Sequence, residues 1–179
     1  MKTKLISTLI FASAAMTSQF AAAADGTIQI NGNVTAQTRT INGNGTGTNN
    51  FIVTLPTVSA SSLAAAGQTA GRTLFSVALT NCTPNSGNVH TYFETGSTTN
   101  AMTGNLILDP SGATNVEIGL LNSDYTNIKA GVSDALQNVK STPITGGNAT
   151  LNYYAQYVAT GAATAGAANS RVMYTMSYQ

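Results

Sequence analysis

Short runs in which apolar and polar residues alternate with a period of two dominate this chain of 179 residues. In "LFSVAL" (74–79), Phe75, Val77 and Leu79 fall on one side of an extended chain. Similar runs occur at 26–34, 51–55, 90–95, 105–109, 115–121, 151–159 and 171–179. Gly, Asn, Ser and Pro separate the runs and supply turn signals. Many short alternating strands with turns between them predict an all-β fold, a β-sandwich in one domain.

The sequence also offers one short candidate helix and one candidate loop. "SASSLAAAG" (59–67) places a serine before an Ala- and Leu-rich turn and ends on Gly67, which predicts a short helix at one end of the sandwich. "NGNGTGTNN" (42–50) is rich in Gly, Asn and Thr, and this composition predicts a mobile surface loop.

The N-terminus is typical of a secretory signal peptide. Lys2 and Lys4 precede the apolar run "LISTLIFASAAM", and the small residues "AAAA" follow, with cleavage expected after Ala24. The alternative is an uncleaved membrane anchor, but the apolar run is short for the roughly 20 residues that span a bilayer. We therefore expect residues 1–24 to be a signal peptide and the mature chain to be exported.

Charged residues are scarce, at 7% of the chain, against about 25% in ordinary soluble domains. Removal of residues 1–24 removes two of the seven basic residues, and the six acidic ones then leave a net charge near −1. This balance gives no reason to expect binding to nucleic acid or to anionic lipid. Weak charge repulsion suits a protein that lives in an assembly, although a secreted domain with a neutral, hydroxyl-rich surface would have the same composition.

The residues that catalysis or metal binding would need are few. The sequence holds one histidine, His90, and no His, Cys or carboxylate cluster with the spacing of metal ligands. The G-x-S-x-G, P-loop and H-E-x-x-H motifs are absent. We expect His90 at the surface or at a strand end, and Glu94 and Glu117 as solvated carboxylates on outward strand faces. The sequence therefore predicts no enzyme activity, no metal site and no cofactor.

The two ends of the chain carry the most specific signal. The segment "GTIQINGNV" places on one side Ile28, Ile30, Gly32 and Val34. The final segment, "ATGAATAGAANSRVMYTMSYQ", has a penultimate tyrosine, Tyr178, and a glycine fourteenth from the end, Gly166. Together these ends resemble those of major subunits (pilins) of type 1-like chaperone–usher fimbriae. "FIVTLPTVSASSLAAAGQTAG" and "GATNVEIGLLN" also resemble segments of that family.

The resemblance implies an incomplete immunoglobulin-like β-sandwich, the pilin fold, in residues 37–179. A donor strand from another subunit completes the sandwich, and here it would be the extension 25–36, with its donor face formed by Ile28, Ile30, Gly32 and Val34. The implied partners are other copies of the chain in a homopolymeric fibre, a periplasmic chaperone, an outer-membrane usher and a tip adhesin. The implied location is a fimbria on the cell surface, reached through the periplasm, where the fibre supports cell adhesion and biofilm formation.

Three alternatives stay open from the sequence. In the first, residues 26–36 fold back as an ordinary strand of their own domain. In the second, the chain is a minor adaptor pilin, and in the third it is a carbohydrate-binding adhesin subunit. Family adhesins carry a receptor-binding domain before the pilin domain, and we expect none in a chain of this length. The tyrosines expected in the core and at strand edges, rather than in a sugar-stacking site, are Tyr153, Tyr154, Tyr157, Tyr174 and Tyr178.

The chain has a single cysteine, Cys82, in the segment "ALTNCTPNS". Major pilins of the family usually pair two cysteines, and Cys82 matches the second position while Arg39 stands at the first. The resemblance thus implies that the disulfide partner has been replaced. We expect Cys82 to be a buried, inert thiol. The alternative is an exposed thiol that pairs between chains.

Overall fold

The computed structural model describes Gln29 and residues 37–179. Its strands are β1 (Thr38–Gly43), β2 (Thr69–Thr83), β3 (Gly87–Phe93), β4 (Leu106–Ile107), β5 (Val116–Asn122), β6 (Asn127–Ile128), β7 (Thr142–Ile144), β8 (Ala149–Ala159) and β9 (Tyr174–Tyr178). The helical elements of this part are two 3-10 helices, Ala60–Leu63 and Asp134–Leu136. No helix among the described residues is long and apolar enough to cross a membrane. The predicted all-β fold is confirmed.

The strands form two antiparallel sheets. The larger sheet has six strands in the order β1-β2-β8-β5-β4, and β6 also pairs with β5. The smaller sheet has the order β7-β3-β9. β8 lies at the centre of the larger sheet, where Tyr153 is paired with Phe75 of β2 on one side and with Asn122 of β5 on the other.

One apolar core fills the space between the two sheets. Phe75, Val77 and Leu79 of β2 alternate as predicted, and each is less than 5% exposed. The smaller sheet contributes residues such as Val89 and Met176 to the same cluster. Burial of such a side chain is worth about 1.5–3 kcal/mol, so the period-two pattern dictates which face of each strand turns inward.

β5 differs from the other strands because every one of its residues is buried. Glu117 is 8% exposed, and the prediction of a solvated carboxylate is wrong. Its oxygens accept hydrogen bonds from Asn100 Nδ2 at 2.7 Å, Thr103 Oγ1 at 2.9 Å and Asn105 Nδ2 at 2.9 Å. These three donors replace the water that the carboxylate loses on burial.

Two other predicted elements differ in the structure. Residues 51–55 are extended but join no β-ladder within the described part of the chain. The helix expected at 59–67 is a short 3-10 helix, Ala60–Leu63, capped by Ser59. Its one buried residue is Leu63, and such a small apolar face cannot hold a longer helix in place.

Candidate assembly groove

Residues 51–55 form one edge of a groove that opens onto the core. Phe51, Val53 and Leu55 are half-buried and pack against the core cluster. Ile52 lies between them in sequence and is 81% exposed. This alternation is that of a β-strand, yet the segment has no ladder partner within the described residues. Among the described residues, the segment therefore presents a strand edge whose backbone is unpaired.

Phe51 fixes the start of this edge between the two sheets. Its ring centroid lies 6.2 Å from that of Phe75 in the larger sheet and 6.0 Å from that of Tyr174 in the smaller one. Gly43 makes room for the ring, because a Cβ atom at that position would lie 1.9 Å from Phe51 Cδ1. The Tyr174 hydroxyl also donates a hydrogen bond to the carbonyl oxygen of Asn49 at 2.7 Å.

The opposite edge of the groove is the C-terminal segment. β9 pairs with β3 on one side, from Tyr174 opposite Phe93 to Tyr178 opposite Val89. Its other side has no strand partner within the described residues. The side chains that turn toward the core are those that alternate in the sequence: Val172, Tyr174, Met176 and Tyr178.

The groove between these edges has a volume of about 940 Å³. Apolar side chains of both sheets form much of its lining, among them Ile41, Phe75, Phe93, Leu106, Ile118, Leu120, Ala155, Tyr157 and Met176. An apolar groove flanked by two unpaired strand edges can accept a further extended segment, because such a segment would satisfy the backbone groups and cover the core.

Gly166 holds the C-terminal segment close to the loop before β5. A Cβ atom at Gly166 would lie 2.7 Å from the backbone nitrogen of Ala113 and 3.0 Å from its Cα. The neighbouring residue Ala167 accepts a hydrogen bond from the same Ala113 nitrogen at 2.7 Å. Further along, Ser170 Oγ donates to the carbonyl oxygen of Ile107 at 2.6 Å. A glycine here permits the contact that positions the segment where it lines the groove.

Arg39 and Cys82 lie near each other on neighbouring strands. The pairing of β1 with β2 shifts register at Arg39, between Thr38 opposite Thr83 and Thr40 opposite Thr80. Cys82 is 4% exposed. Burial raises the pKa of its thiol, and the positive charge of Arg39 opposes that shift.

The Arg39 guanidinium extends from the larger sheet to the smaller one. Its carbon lies 5.4 Å from the centroid of the Tyr178 ring on β9, a cation–π contact that joins β1 to the smaller sheet. Arg39 Nε is buried without a hydrogen-bond partner among the described residues, while the guanidinium faces the buried Tyr178 hydroxyl closely enough to favour its ionised form. Burial raises the pKa of Tyr178, and the nearby guanidinium opposes that shift.

The predicted donor face lies outside the described residues, as does the predicted signal peptide 1–24. The structure therefore brings together Arg39, Cys82 and Tyr178, where β1, β2 and β9 meet. Gly166 lies elsewhere, against the loop before β5. The structure gives no position for the donor residues Ile28, Ile30, Gly32 and Val34.

His90 lies in a polar cluster that local sequence reasoning missed. It is 5% exposed, so the prediction of a surface or strand-end residue is wrong. Its Nε2 atom lies 2.8 Å from Asp134 Oδ1, and Ser177 Oγ donates to Asp134 Oδ2 at 3.1 Å. Here the serine contacts the carboxylate rather than the imidazole, unlike a nucleophilic triad. The partners lie far apart in sequence, and their contact joins the second 3-10 helix to β3 and β9.

No group of three or more His, Cys, Asp and Glu side chains in the described part of the chain could hold a metal ion. The groove, with its apolar lining and two unpaired edges, is the feature of this part that suits an interaction with another chain.

Comparison with known proteins identifies the family. Residues 55–179 match the family described as type-1 fimbrial protein, A. The F17 fimbrial protein of Escherichia coli is 46% identical over 172 residues, covering 93% of this chain and 94% of that protein. The major fimbrial subunit SMF-1 of Stenotrophomonas maltophilia is 49% identical over 162 residues, covering 87% and 94% respectively.

A solved structure agrees with these sequence matches. The Burkholderia pseudomallei antigen and type I fimbria protein superimposes with a TM-score of 0.55 and 28% sequence identity. The superposition covers 80% of this chain and 100% of that one. The fold is thus a pilin fold, and the resemblance predicted from the two chain ends is confirmed. This chain belongs to the type-1 fimbrial protein family and is a structural subunit of a fimbria.

Proposed function

We propose that this subunit polymerises by accepting, in its groove, the N-terminal segment 25–36 of another copy of the same chain. The observation that carries the proposal is the pair of strand edges, residues 51–55 and β9, that have no partner within residues 37–179 and lie on either side of an apolar groove. Addition of a strand to exposed sheet edges is an established mode of recognition in pilins and their chaperones.

The donor segment has the side chains that such a groove needs. Ile28, Ile30 and Val34 would each contribute about 1.5–3 kcal/mol on burial. Backbone hydrogen bonds to the two edges would add about 1 kcal/mol net each. Gly32 permits a close approach of the donor backbone to the groove. The sum is sufficient for a long-lived junction between subunits without a covalent bond.

The open groove also explains the partners that we propose before assembly. A subunit with exposed strand edges and apolar surface tends to aggregate through them. A periplasmic chaperone that lends a strand would cover the groove after removal of residues 1–24, and an outer-membrane usher would exchange that strand for the next donor. The major-subunit role is favoured over a minor adaptor because SMF-1, which is 49% identical, is a major subunit. A major subunit should form nearly all of the fibre mass.

Deletion of residues 25–36 tests the proposal. We expect the shortened subunit to bind a synthetic 25–36 peptide and to remain unable to form fibres, because it has the groove but no donor. A peptide with Gly32→Val should bind at least tenfold more weakly, which is about 1.4 kcal/mol, since its side chain would meet the groove at closest approach. Each peptide is titrated into the shortened subunit, and the rise in its thermal unfolding temperature with peptide concentration gives the affinity.

A peptide with Asn33→Val is the matched control, because it introduces a valine on the opposite face of the strand, away from the groove. We expect it to bind as the unmodified peptide does. A shortened subunit that neither folds nor binds any peptide would show instead that 25–36 is a strand of its own domain, and equal binding of all three peptides would refute the assignment of the donor face.

A further inference from the structure

The outer face of the larger sheet carries a partly exposed aromatic cluster. The ring centroids of Tyr125 and Tyr154 lie 5.0 Å apart, and the Arg72 guanidinium carbon lies 4.6 Å from the centroid of the Tyr125 ring. Arg72 Nε donates to Oε1 of the buried Gln156 at 3.0 Å. Leu74 pairs directly with Tyr154 and is 53% exposed. These five residues are called the aromatic platform below.

Tyr125 is held outward by a strained turn. Its φ angle is 64°, in the left-handed region that bulky residues rarely adopt. The turn is closed by hydrogen bonds from Tyr125 N to the Asn122 carbonyl at 3.0 Å and from Asn122 N to the Thr126 carbonyl at 2.9 Å. The side chain is 53% exposed, so burial in the core does not account for this conformation. Strained residues of this kind cluster at binding sites, where the surrounding structure imposes their conformation.

Arg72 retains hydrogen-bonding capacity on the platform. Its Nε donates to Gln156 and its guanidinium contacts the Tyr125 ring. Its two terminal nitrogens donate no hydrogen bond to any described residue. The ion pairs found in the described part of the chain involve other residues, Arg171 with Asp109 and His90 with Asp134. A guanidinium fixed by a buried amide and an aromatic ring is preorganised to bind a carboxylate through two parallel hydrogen bonds.

The pilin domain of a second copy, residues 37–179, offers no unengaged acidic side chain for that role. Every acidic side chain in residues 37–179 already has a partner: Glu94 with Thr175, Asp109 with Arg171, Glu117 with Asn100, Asp124 with Thr126, and Asp134 with His90. The acidic side chains of the pilin domain are therefore engaged within their own subunit, and the platform is suited to a carboxylate that a different molecule supplies.

We propose that the aromatic platform binds a sugar residue that carries a carboxylate, of the uronic or sialic acid class. The Arg72 fork takes the carboxylate, while the rings of Tyr125 and Tyr154 and the side chain of Leu74 contact the apolar face of the sugar ring. The site is shallow, and each copy binds weakly.

Repetition of the platform along a fibre would raise the overall affinity for a surface that carries many acidic sugars. If subunits polymerise as proposed above, on which this step rests, the platform recurs once in every subunit along the fibre. Linked weak sites that engage one surface together gain about 10²–10⁴ in overall affinity without any new contact. The expected target is a polymer or cell surface rich in acidic sugars.

The test compares two sugars that differ in the carboxylate alone. Methyl glucuronide and methyl glucoside are titrated against the purified full-length mature chain, in whatever assembly state it takes, and NMR follows the tyrosine ring resonances. We expect shifts of Tyr125 and Tyr154 with the glucuronide at millimolar concentration and at least tenfold weaker effects with the glucoside. Equal effects of the two sugars, or none from either, would overturn the proposal.

Three variants locate the site. Arg72→Gln should weaken glucuronide binding about tenfold or more, because it removes a charge-assisted hydrogen bond. Tyr125→Gly should abolish the ring contact and fold well, since glycine adopts the left-handed conformation without strain. Arg171→Gln, the loss of an arginine outside the platform, should leave binding unchanged. Loss of binding in Arg171→Gln as well would show general charge attraction and refute the platform.

Fibre formation separates this proposal from the previous one. We expect Arg72→Gln to form fibres in normal yield. If Arg72→Gln forms no fibres and the wild-type chain binds no glucuronide, the platform is a contact with another protein and the sugar assignment is wrong. If the wild-type chain binds glucuronide but a 25–36 deletion still polymerises, the sugar site stands and the donor-strand proposal fails.

Discussion

Arg39 shows how one residue can change which elements are joined. The family resemblance places a cysteine at this position, and a disulfide to Cys82 would tie β1 to β2 within the larger sheet. Arg39 instead reaches the Tyr178 ring, 5.4 Å away on β9. The contact therefore runs between the two sheets rather than along one of them. Cation–π contacts contribute about 0.5–2 kcal/mol, less than the roughly 4 kcal/mol that the chain-entropy model assigns to a cross-link over this loop.

Substitutions at Tyr178 test whether its ring or its hydroxyl contributes to the stability of the subunit. Tyr178→Phe keeps the ring and removes a buried hydroxyl that faces the Arg39 guanidinium without a well-formed hydrogen bond, so we expect a loss of no more than about 0.5 kcal/mol in the free energy of unfolding. Tyr178→Leu removes the ring and should cost about 1–2 kcal/mol. Denaturant unfolding of the purified subunit measures both. A larger loss in Tyr178→Phe would show that the hydroxyl, and not the ring alone, holds the Arg39 guanidinium.

At the scale of elements, the C-terminal segment depends on a close backbone contact. Gly166→Ala would place a Cβ atom 2.7 Å from the Ala113 nitrogen, and backbone atoms there cannot move aside as a side chain can. We expect a loss of about 1–3 kcal/mol in the free energy of unfolding. Gly96→Ala is the matched control, because a Cβ atom at Gly96 meets no atom within 4 Å. Equal stability of the two variants would refute the role of Gly166.

The strands were predictable where neighbours in the sequence decide their burial. Period-two alternation located β2 and β8, whose inner faces meet the core. It could not show that both faces of β5 are buried, because the donors that satisfy Glu117 lie in the loop of residues 100–105. It also indicated a strand at residues 51–55 but not the absence of a ladder partner in the described chain. Alternation predicts which side chains of a strand point into the core, but it does not predict which other strand pairs with it.

At the scale of the whole molecule, the subunit has to stay folded without an internal disulfide, since Cys82 is its only cysteine. Its core is continuous between two sheets, and the edges beside the groove are where further pairing would add stability. We therefore expect the resistance of the fibre to dissociation to come from strand pairing between subunits rather than from covalent links. A reducing agent should leave both the unfolding free energy of the subunit and the stability of the fibre unchanged.

Thiol labelling gives the decisive measurement. Cys82 is 4% exposed, and burial raises the pKa of its thiol, so the reactive thiolate is both inaccessible and scarce at neutral pH. We expect a maleimide to label Cys82 in native fibres only as fast as subunits unfold, with a rate that increases with denaturant. Met102→Cys, at a position that is 97% exposed, should add a thiol that is labelled at once. Rapid, stoichiometric labelling of the wild-type fibre, or dimers that a reducing agent separates, would place Cys82 at the surface and identify it as a link between chains.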